Sequence, residues 1–434
     1  MKTRMIQDNF SSDSQDSKET QMKSSFVVLL TALVIMVLAI SSFSQVQDSV
    51  AEGTIVAPPS TLQKGLHTPL YIFIPKESQT PNSPPPNAEN PGSIACIYDV
   101  TANTPGCPIS GSPVATGGTK AIAVVVYGNN STLQADFNTF NAEYGLPAQT
   151  LQFICSCSSC PSSNGTGWDL EVALDTEYAH AMAPNAQIIV SEFCTDPFQE
   201  VPGAETLAGQ AVAAQGGGEV SNSFSYGTPE NSIELTWDVY MTQPTVVYFA
   251  AAGDNGIGPT YPSVSPNVVS AGGTHIHRGI NPYPDQYCWG GSGGGTSQFE
   301  TIPTYQTSTN TLGQIQVITN NFRGTPDWGA DADPSTGVAV YSTTGCTGWC
   351  QVGGTSVASP VLAGMTNAAG TFAANTGVEL TTTYHYYKKA LQPWLTDFLD
   401  VYNGTGIYRN GYAGSYTGWD ECTGLGAPKV LTAF

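Results

Sequence analysis

The 434-residue chain predicts an α/β fold built on a parallel sheet with helices on both faces. Short apolar runs rich in strand-forming residues recur at 121–127 (AIAVVVY), 187–193 (QIIVSEF), 219–224 (EVSNSF) and 245–251 (TVVYFAA). Helix-like stretches separate them, and strands that alternate with helices require crossovers, which make neighbouring strands parallel. From 93 to 434 no internal repeat or composition break divides the chain, and that length buries a sizeable core as one domain.

Taken in order, the first run is followed by Leu133, Phe137, Phe140 and Tyr144 at helical spacing. Further helices are expected over 170–182, 204–215 and 233–241, each between two strand candidates. In such sheets chemistry gathers at the carboxyl ends of the strands. The residues just after each run are therefore the ones to inspect.

Composition limits what the site can act on. Thirteen Lys and Arg against 34 Asp and Glu give a net charge of −21. So few basic residues cannot neutralise a phosphate backbone, which excludes nucleic acid as a partner. The scarcity of lysine suits an acidic, extracellular setting. Ten cysteines, an even number, point to disulfides and an oxidising compartment. The cluster Cys155, Cys157 and Cys160 has no neighbouring His and no paired CxxC spacing, so disulfides are favoured there over a metal site. Short separations make Cys96 with Cys107, and Cys346 with Cys350, natural partners.

Residues 26–40 (FVVLLTALVIMVLAI) are too few for a membrane span, which takes about 20 apolar residues. Read from Met22, an alternative start, the run has the anatomy of a secretory signal peptide ending at Ser42-Phe43-Ser44. Three segments follow: a signal at 1–44, a Pro-rich leader or linker at 45–92, and a single domain at 93–434. Export to the extracellular space or periplasm is expected, with membrane contact only if the apolar run is retained as an anchor.

Three strings carry chemistry. In GGTSVASPVLAGM (353–365), Ser356 stands at a helix start, where its hydroxyl is accessible and backbone N–H groups are near; GTSVASP is the nucleophile signature of subtilisins and their relatives. None of His67, His180, His275, His277 and His385 has the glycine context of a subtilisin base, and His275 and His277 alternate as on a surface strand. A carboxylate base is available instead. Glu171 and Asp175, four residues apart on an otherwise apolar helix, share one face and would hold a proton between them. Asp254, in AAGDNG, follows a strand at the place of a subtilisin oxyanion residue, and burial would keep it protonated to donate a hydrogen bond.

From about Gly118 to Phe434 the chain resembles the sedolisin family of serine-carboxyl peptidases, which have a subtilisin-like fold. The resemblance rests on the Glu171/Asp175 helix, SYG at 225–227, AAGDNG, YPSVSPNVVSAGGT at 261–274, SGGGTS at 292–297, RGTPDWGADADPSTG at 323–337 and GGTSVASP, in that order. It implies Ser356 as nucleophile, Glu171 as general base, Asp175 as its proton-sharing partner and Asp254 as the oxyanion-hole acid. It further implies one structural Ca²⁺, held by the side chains of Asp400 and Asp420 and the carbonyls of Val401, Tyr416 and Gly418. Ser225, Tyr226 and Gly227 would pair with an extended substrate backbone, Tyr226 standing where many relatives have Trp.

The expected function is that of an exported, monomeric, acid-active endopeptidase that cuts proteins or peptides through a Ser356 acyl-enzyme. Its alternative is a catalytically silent binding protein on the same scaffold. Family members carry a large folded propeptide, whereas here the Pro-rich stretch 45–92 precedes the domain.

Overall fold

The computed structural model describes residues 52–76, 80–101, 104–195, 203–226, 230–278, 284–307, 313–370, 375–390, 398–401 and 418–429. These lie in one compact unit that spans Val50–Phe434. The apolar run and Ser44 fall outside the described residues. Among the described residues, no helix is long and apolar enough to cross a membrane.

In chain order the elements are β1 (Gly53–Val56), β2 (Tyr71–Pro75), α1 (Pro91–Ile97), β3 (Ala121–Tyr127), α2 (Leu133–Tyr144), β4 (Gln152–Cys155), α3 (Trp168–Met182), β5 (Gln187–Phe193), α4 (Ala204–Ala214), β6 (Gly218–Asn222) and β7 (Val246–Ala251). There follow β8 (Val268–His277), β9 (Asp285–Cys288), β10 (Gly295–Thr301), β11 (Phe322–Thr325), β12 (Trp328–Asp331), β13 (Val338–Ser342), β14 (Gly348–Gly353), α5 (Thr355–Ala369), α6 (Thr376–Ala390), β15 (Phe398–Leu399) and β16 (Ala427–Pro428).

Seven parallel strands form the central sheet in the order β12-β8-β7-β6-β3-β5-β4, with β9 antiparallel on β8. Strand side chains alternate between faces, and β3 makes both faces visible. Ile122, Val124 and Val126 pack with α2, α3 and α5 in one apolar cluster; Ala121, Ala123 and Val125 pack with α4 in another. The chain order reverses about β3, between β6 and β5. A crevice therefore opens at the carboxyl ends of these strands, where the site lies.

Two expectations change. The helix expected at 233–241 is two 3₁₀ turns, Ser232–Thr236 and Asp238–Met241. Asn231 caps the first turn, and Pro244 leaves little chain for a longer helix. The 45–92 stretch is more than an irregular linker, because β2 pairs antiparallel with both β1 and β14 inside the sheet β1-β2-β14-β13. That partner strand lies almost 300 residues downstream, beyond any local pattern.

The cysteines form five disulfides with none left free. Cys96–Cys107 and Cys346–Cys350 pair as expected, and Cys155–Cys160, Cys157–Cys194 and Cys288–Cys422 complete the set. His275 is buried rather than on a surface strand, with Nδ1 3.0 Å from Asp333 Oδ2.

Candidate active site

Helices α3 and α5 run side by side because Gly364 has no side chain: a Cβ there would meet Met182 Cβ and the Ala179 carbonyl. Polar contacts lock α5 to the sheet, Ser359 Oγ lying 2.9 Å from Ser221 Oγ and Asn367 donating to Glu219 at 2.7 Å. The first turns of the two helices then face each other, bringing Ser356 to Glu171. Every residue of α3 is buried, so Glu171 and Asp175 sit in a dry helix face.

Burial drives the pKa of Glu171 well above the ordinary carboxyl range, and the charges of Asp175 and Asp254 add to the rise. The hydroxyls of Ser356 and Thr68 favour its anion, although both Glu171 oxygens lack a hydrogen bond of ordinary geometry. Burial also raises Asp175, opposed by Ser223 Oγ, which donates to Oδ1 at 2.6 Å. Two desolvated carboxyls one turn apart cannot both ionise, so the pair keeps a proton.

Ser356 is the second residue of α5, where backbone N–H groups have no helical acceptor. Its Oγ is buried and, among the described residues, has no hydrogen-bond partner of ordinary geometry, histidine included. Pro360 shapes this turn. It has no N–H to offer the Ser356 carbonyl, which instead lies 3.3 Å from Ser223 Oγ. Ser223 therefore touches both the Ser356 backbone and Asp175.

Asp254 follows β7 and reaches the same turn. Its Oδ1 accepts from the N–H and the hydroxyl of Thr355, both at 2.8 Å, while Oδ2 has no partner among the described residues. Burial pushes its pKa up to about 7 against those two bonds. With Oδ1 occupied by donors, the proton belongs on Oδ2.

That oxygen faces a peptide. Ser356 N–H donates to the carbonyl oxygen of Pro69 at 3.2 Å. A Cβ at Gly354, whose φ of 115° already suits glycine, would collide with both Pro69 O and Asp254 Oδ2, so these two oxygens border the same small space. Two residues upstream, His67 and Ser225 exchange backbone hydrogen bonds of 3.0 and 2.8 Å in an antiparallel bridge. The chain's own segment 67–70 thus crosses the site as an extended strand.

Of the other expected site residues, Tyr226 donates its N–H to Tyr261 O at 2.7 Å, and its ring lies 5.0 Å from that of Trp237. Gly227 and Tyr416 lie outside the described residues. Asp400 Oδ2 accepts from Gly418 N–H at 3.2 Å, and Asp420 Oδ1 from Cys422 and Thr423 N–H at 2.8 Å each. Burial pushes Asp420 up to about 7, and the charge of Asp400 adds to the rise. Paired carboxylates beside bent backbone fit a hard cation such as Ca²⁺. The sulfurs of Cys155, Cys157, Cys160 and Cys194 lie within 4.8 Å of one another but are joined as disulfides.

Ser223, Thr355 and the 67–70 strand were not foreseen from sequence as parts of the site. Pro360 was the available signal for Ser223, since a proline inside a helix frees the carbonyl four residues earlier.

No family model matches the chain. It is 28% identical to kumamolisin of Bacillus sp. (strain MN-32) over 293 residues, covering 62% of this chain and 50% of the relative. It is 25% identical to sedolisin of Pseudomonas sp. (strain 101) over 378 residues, 79% of this chain and 60% of that one. Over 431 residues it is 23% identical to xanthomonalisin of Xanthomonas sp. (strain T-22), 83% of this chain and 48% of the relative. The chain thus spans about half the length of these curated relatives. In fold it matches a Pseudomonas sedolisin structure, a serine-carboxyl proteinase complexed with two molecules of pseudo-iodotyrostatin, at TM-score 0.62 and 23% identity, covering 80% of this chain and 96% of that one. The chain is thus similar in sequence to several sedolisin-family proteins and shares the fold of the Pseudomonas sedolisin structure.

Proposed function

We propose that this protein is an acid-active serine-carboxyl endopeptidase. In this reading Ser356 Oγ attacks a peptide carbonyl carbon while Glu171 takes its proton, and Asp175 accommodates the change by sharing it. The developing oxyanion is met by Ser356 N–H and by the proton on Asp254 Oδ2. The proton held by the carboxyl pair passes to the leaving amine. Water then resolves the acyl-enzyme by the same steps in reverse.

The observation that carries the reading is the Pro69 carbonyl oxygen, which lies on Ser356 N–H and beside Asp254 Oδ2 while its strand pairs with Ser225. A peptide group sits where the chemistry needs one. Asp400 and Asp420, with carbonyls of Val401, Tyr416 and Gly418, would hold a Ca²⁺ whose contribution is to tie the C-terminal segment to the domain. Export by a signal at 1–44 and a monomeric state complete the proposal, with proteins and peptides as substrates.

The test is hydrolysis of a denatured protein at pH 4 and pH 8, with Ser356→Ala alongside. Cleavage at pH 4 that is lost at pH 8 and in Ser356→Ala is expected. Equal cleavage by Ser356→Ala, or a silent wild type at both pH values after acid incubation, would remove the reading.

A further inference from the structure

Just before α5 the chain is pressed against the loop that follows β12, residues 332–337. Gly354 N–H donates to the Ala332 carbonyl at 2.6 Å. A Cβ on Gly353 would collide with the Pro334 backbone, and one on Gly337 with the Val352 carbonyl, so the two stretches meet backbone to backbone. Gln351 Nε2 adds a bond of 2.8 Å to the Pro334 carbonyl. The next peptides along carry the N–H groups of Thr355 and Ser356, which lie on Asp254 and on the Pro69 carbonyl. The loop is therefore the backstop of the turn that aims both donors.

What fixes the loop is on β8. Its base hangs on the Thr274 carbonyl, which accepts from Ala332 and Asp333 N–H at 2.9 and 3.1 Å. Asp333 gives it shape: Oδ1 accepts from Ser335 N–H at 2.9 Å and from Ser335 Oγ at 2.8 Å, closing a turn. The other oxygen, Oδ2, lies 3.0 Å from Nδ1 of His275, a buried side chain that the peptidase chemistry does not use. A carboxylate can only accept, so Nδ1 is the donor. Arg278, at the end of the same strand, is committed to Glu89 through bonds of 2.7 and 2.6 Å. Because β8 is held by β7, β12 and β9, the imidazole does not yield, and its position decides where Asp333 and the turn can sit.

We infer that His275 is a positioning residue of the active site: its bond to Asp333 sets loop 332–337 against Gly353 and Gly354 and so aims the N–H groups of Thr355 and Ser356. This rests on the peptidase reading above. His275 acts through the Ala332–Gly354 hydrogen bond. The donors it aims meet the oxyanion directly or through Asp254, whereas substrate backbone is captured at Ser225, on a separate segment. Its loss should therefore fall on the chemical step and spare substrate binding.

The experiment measures kcat and KM on a peptide substrate at pH 4, with urea midpoints, for the full wild-type chain and for His275→Asn, His275→Gln, His275→Leu and Arg278→Gln. Asparagine carries an N–H at the δ position as Nδ1 does, glutamine carries it one bond farther out, and leucine has none. His275→Leu and His275→Gln should lose roughly ten- to a hundredfold in kcat with KM within about twofold, since small misplacements of this kind act on the barrier. His275→Asn should return to within about threefold of the wild type. Arg278→Gln, which breaks the Glu89 pair, should keep the wild-type kcat whatever its midpoint, which separates positioning from stability. If His275→Leu does not fold, the contrast between Gln and Asn decides. Wild-type kcat in the disrupting variants, an Asn variant as slow as they are, a loss carried by KM, or an equal loss in Arg278→Gln would overturn the assignment and leave the peptidase reading in place. A wild type that does not cut removes the peptidase reading, and this one falls with it.

Discussion

Asp254 Oδ1 accepts two hydrogen bonds from one residue, the N–H and the hydroxyl of Thr355, each at 2.8 Å. Both favour the anion and so work against the burial that lifts Asp254 to about 7. Thr355→Val removes the hydroxyl bond while keeping the shape. The Asp254 pKa should rise further, and because the acid must keep its proton to donate, the alkaline limb of the pH–rate profile should move upward. Gly253 N–H, which the same hydroxyl accepts at 3.0 Å, loses its partner, so stability should fall by about 1–2 kcal/mol. Profiles and urea midpoints of the two proteins check both outcomes.

Ser223→Ala acts on the other limb. Its hydroxyl stabilises the charged form of Asp175, so its loss should raise the titration of the carboxyl pair, and activity should be lost at higher pH on the acid side. A buried hydrogen bond to a charged group is worth about 1.5–3 kcal/mol, so turnover should fall by roughly ten- to a hundredfold. Unchanged turnover and an unmoved acid limb would assign Ser223 no part in positioning the pair.

Stability should be greatest in acid. Burial lifts Glu205 to about 8 and raises Glu177, Glu219 and Asp331 in the same direction. A carboxyl whose folded pKa exceeds its unfolded value holds its proton more tightly when folded. Its contribution is complete below the unfolded value near 4.5 and is lost as pH rises toward the folded one. Urea midpoints should therefore decline between pH 4 and pH 8, and Glu205→Gln should flatten part of that decline.

The four residues of the proposed catalytic site were legible in sequence because each sits in a distinctive string: Glu171 and Asp175 at helical spacing, Asp254 between glycines after a strand, Ser356 in GTSVASP. Ser223 and Thr355 were not, since their roles exist only where α3, α5 and β7 meet. The leader misled for a physical reason. Its prolines and polar residues describe a linker, and β1 and β2 become strands only through β14, which local pattern cannot supply. Short disulfides could be paired by separation, whereas Cys288–Cys422 spans 134 residues and depends on the fold.

Ca²⁺ bound only by the folded chain should stabilise it by mass action, by about 2.7 kcal/mol at a hundred times its dissociation constant. Chelator should lower the melting temperature by several degrees near neutral pH, and Asp420→Ala should show the lower value with or without it. An unchanged melt, together with no calcium in elemental analysis of the native protein, would remove the site.

In the proposed mechanism a protonated Asp254 receives the oxyanion formed when Ser356 attacks under Glu171 and Asp175. Reference carboxyl values near 4 place the working window at about pH 3 to 5, and burial of all three acids carries its upper edge toward neutrality. The most direct measurement is the pH–rate profile of Asp254→Asn against wild type, with Ser356→Ala and Glu171→Ala as controls. An amide donates at every pH, so turnover should fall while the alkaline limb moves upward or flattens, and both controls should be inactive. A profile unchanged in Asp254→Asn, with Ser356→Ala and Glu171→Ala still active, would contradict the account.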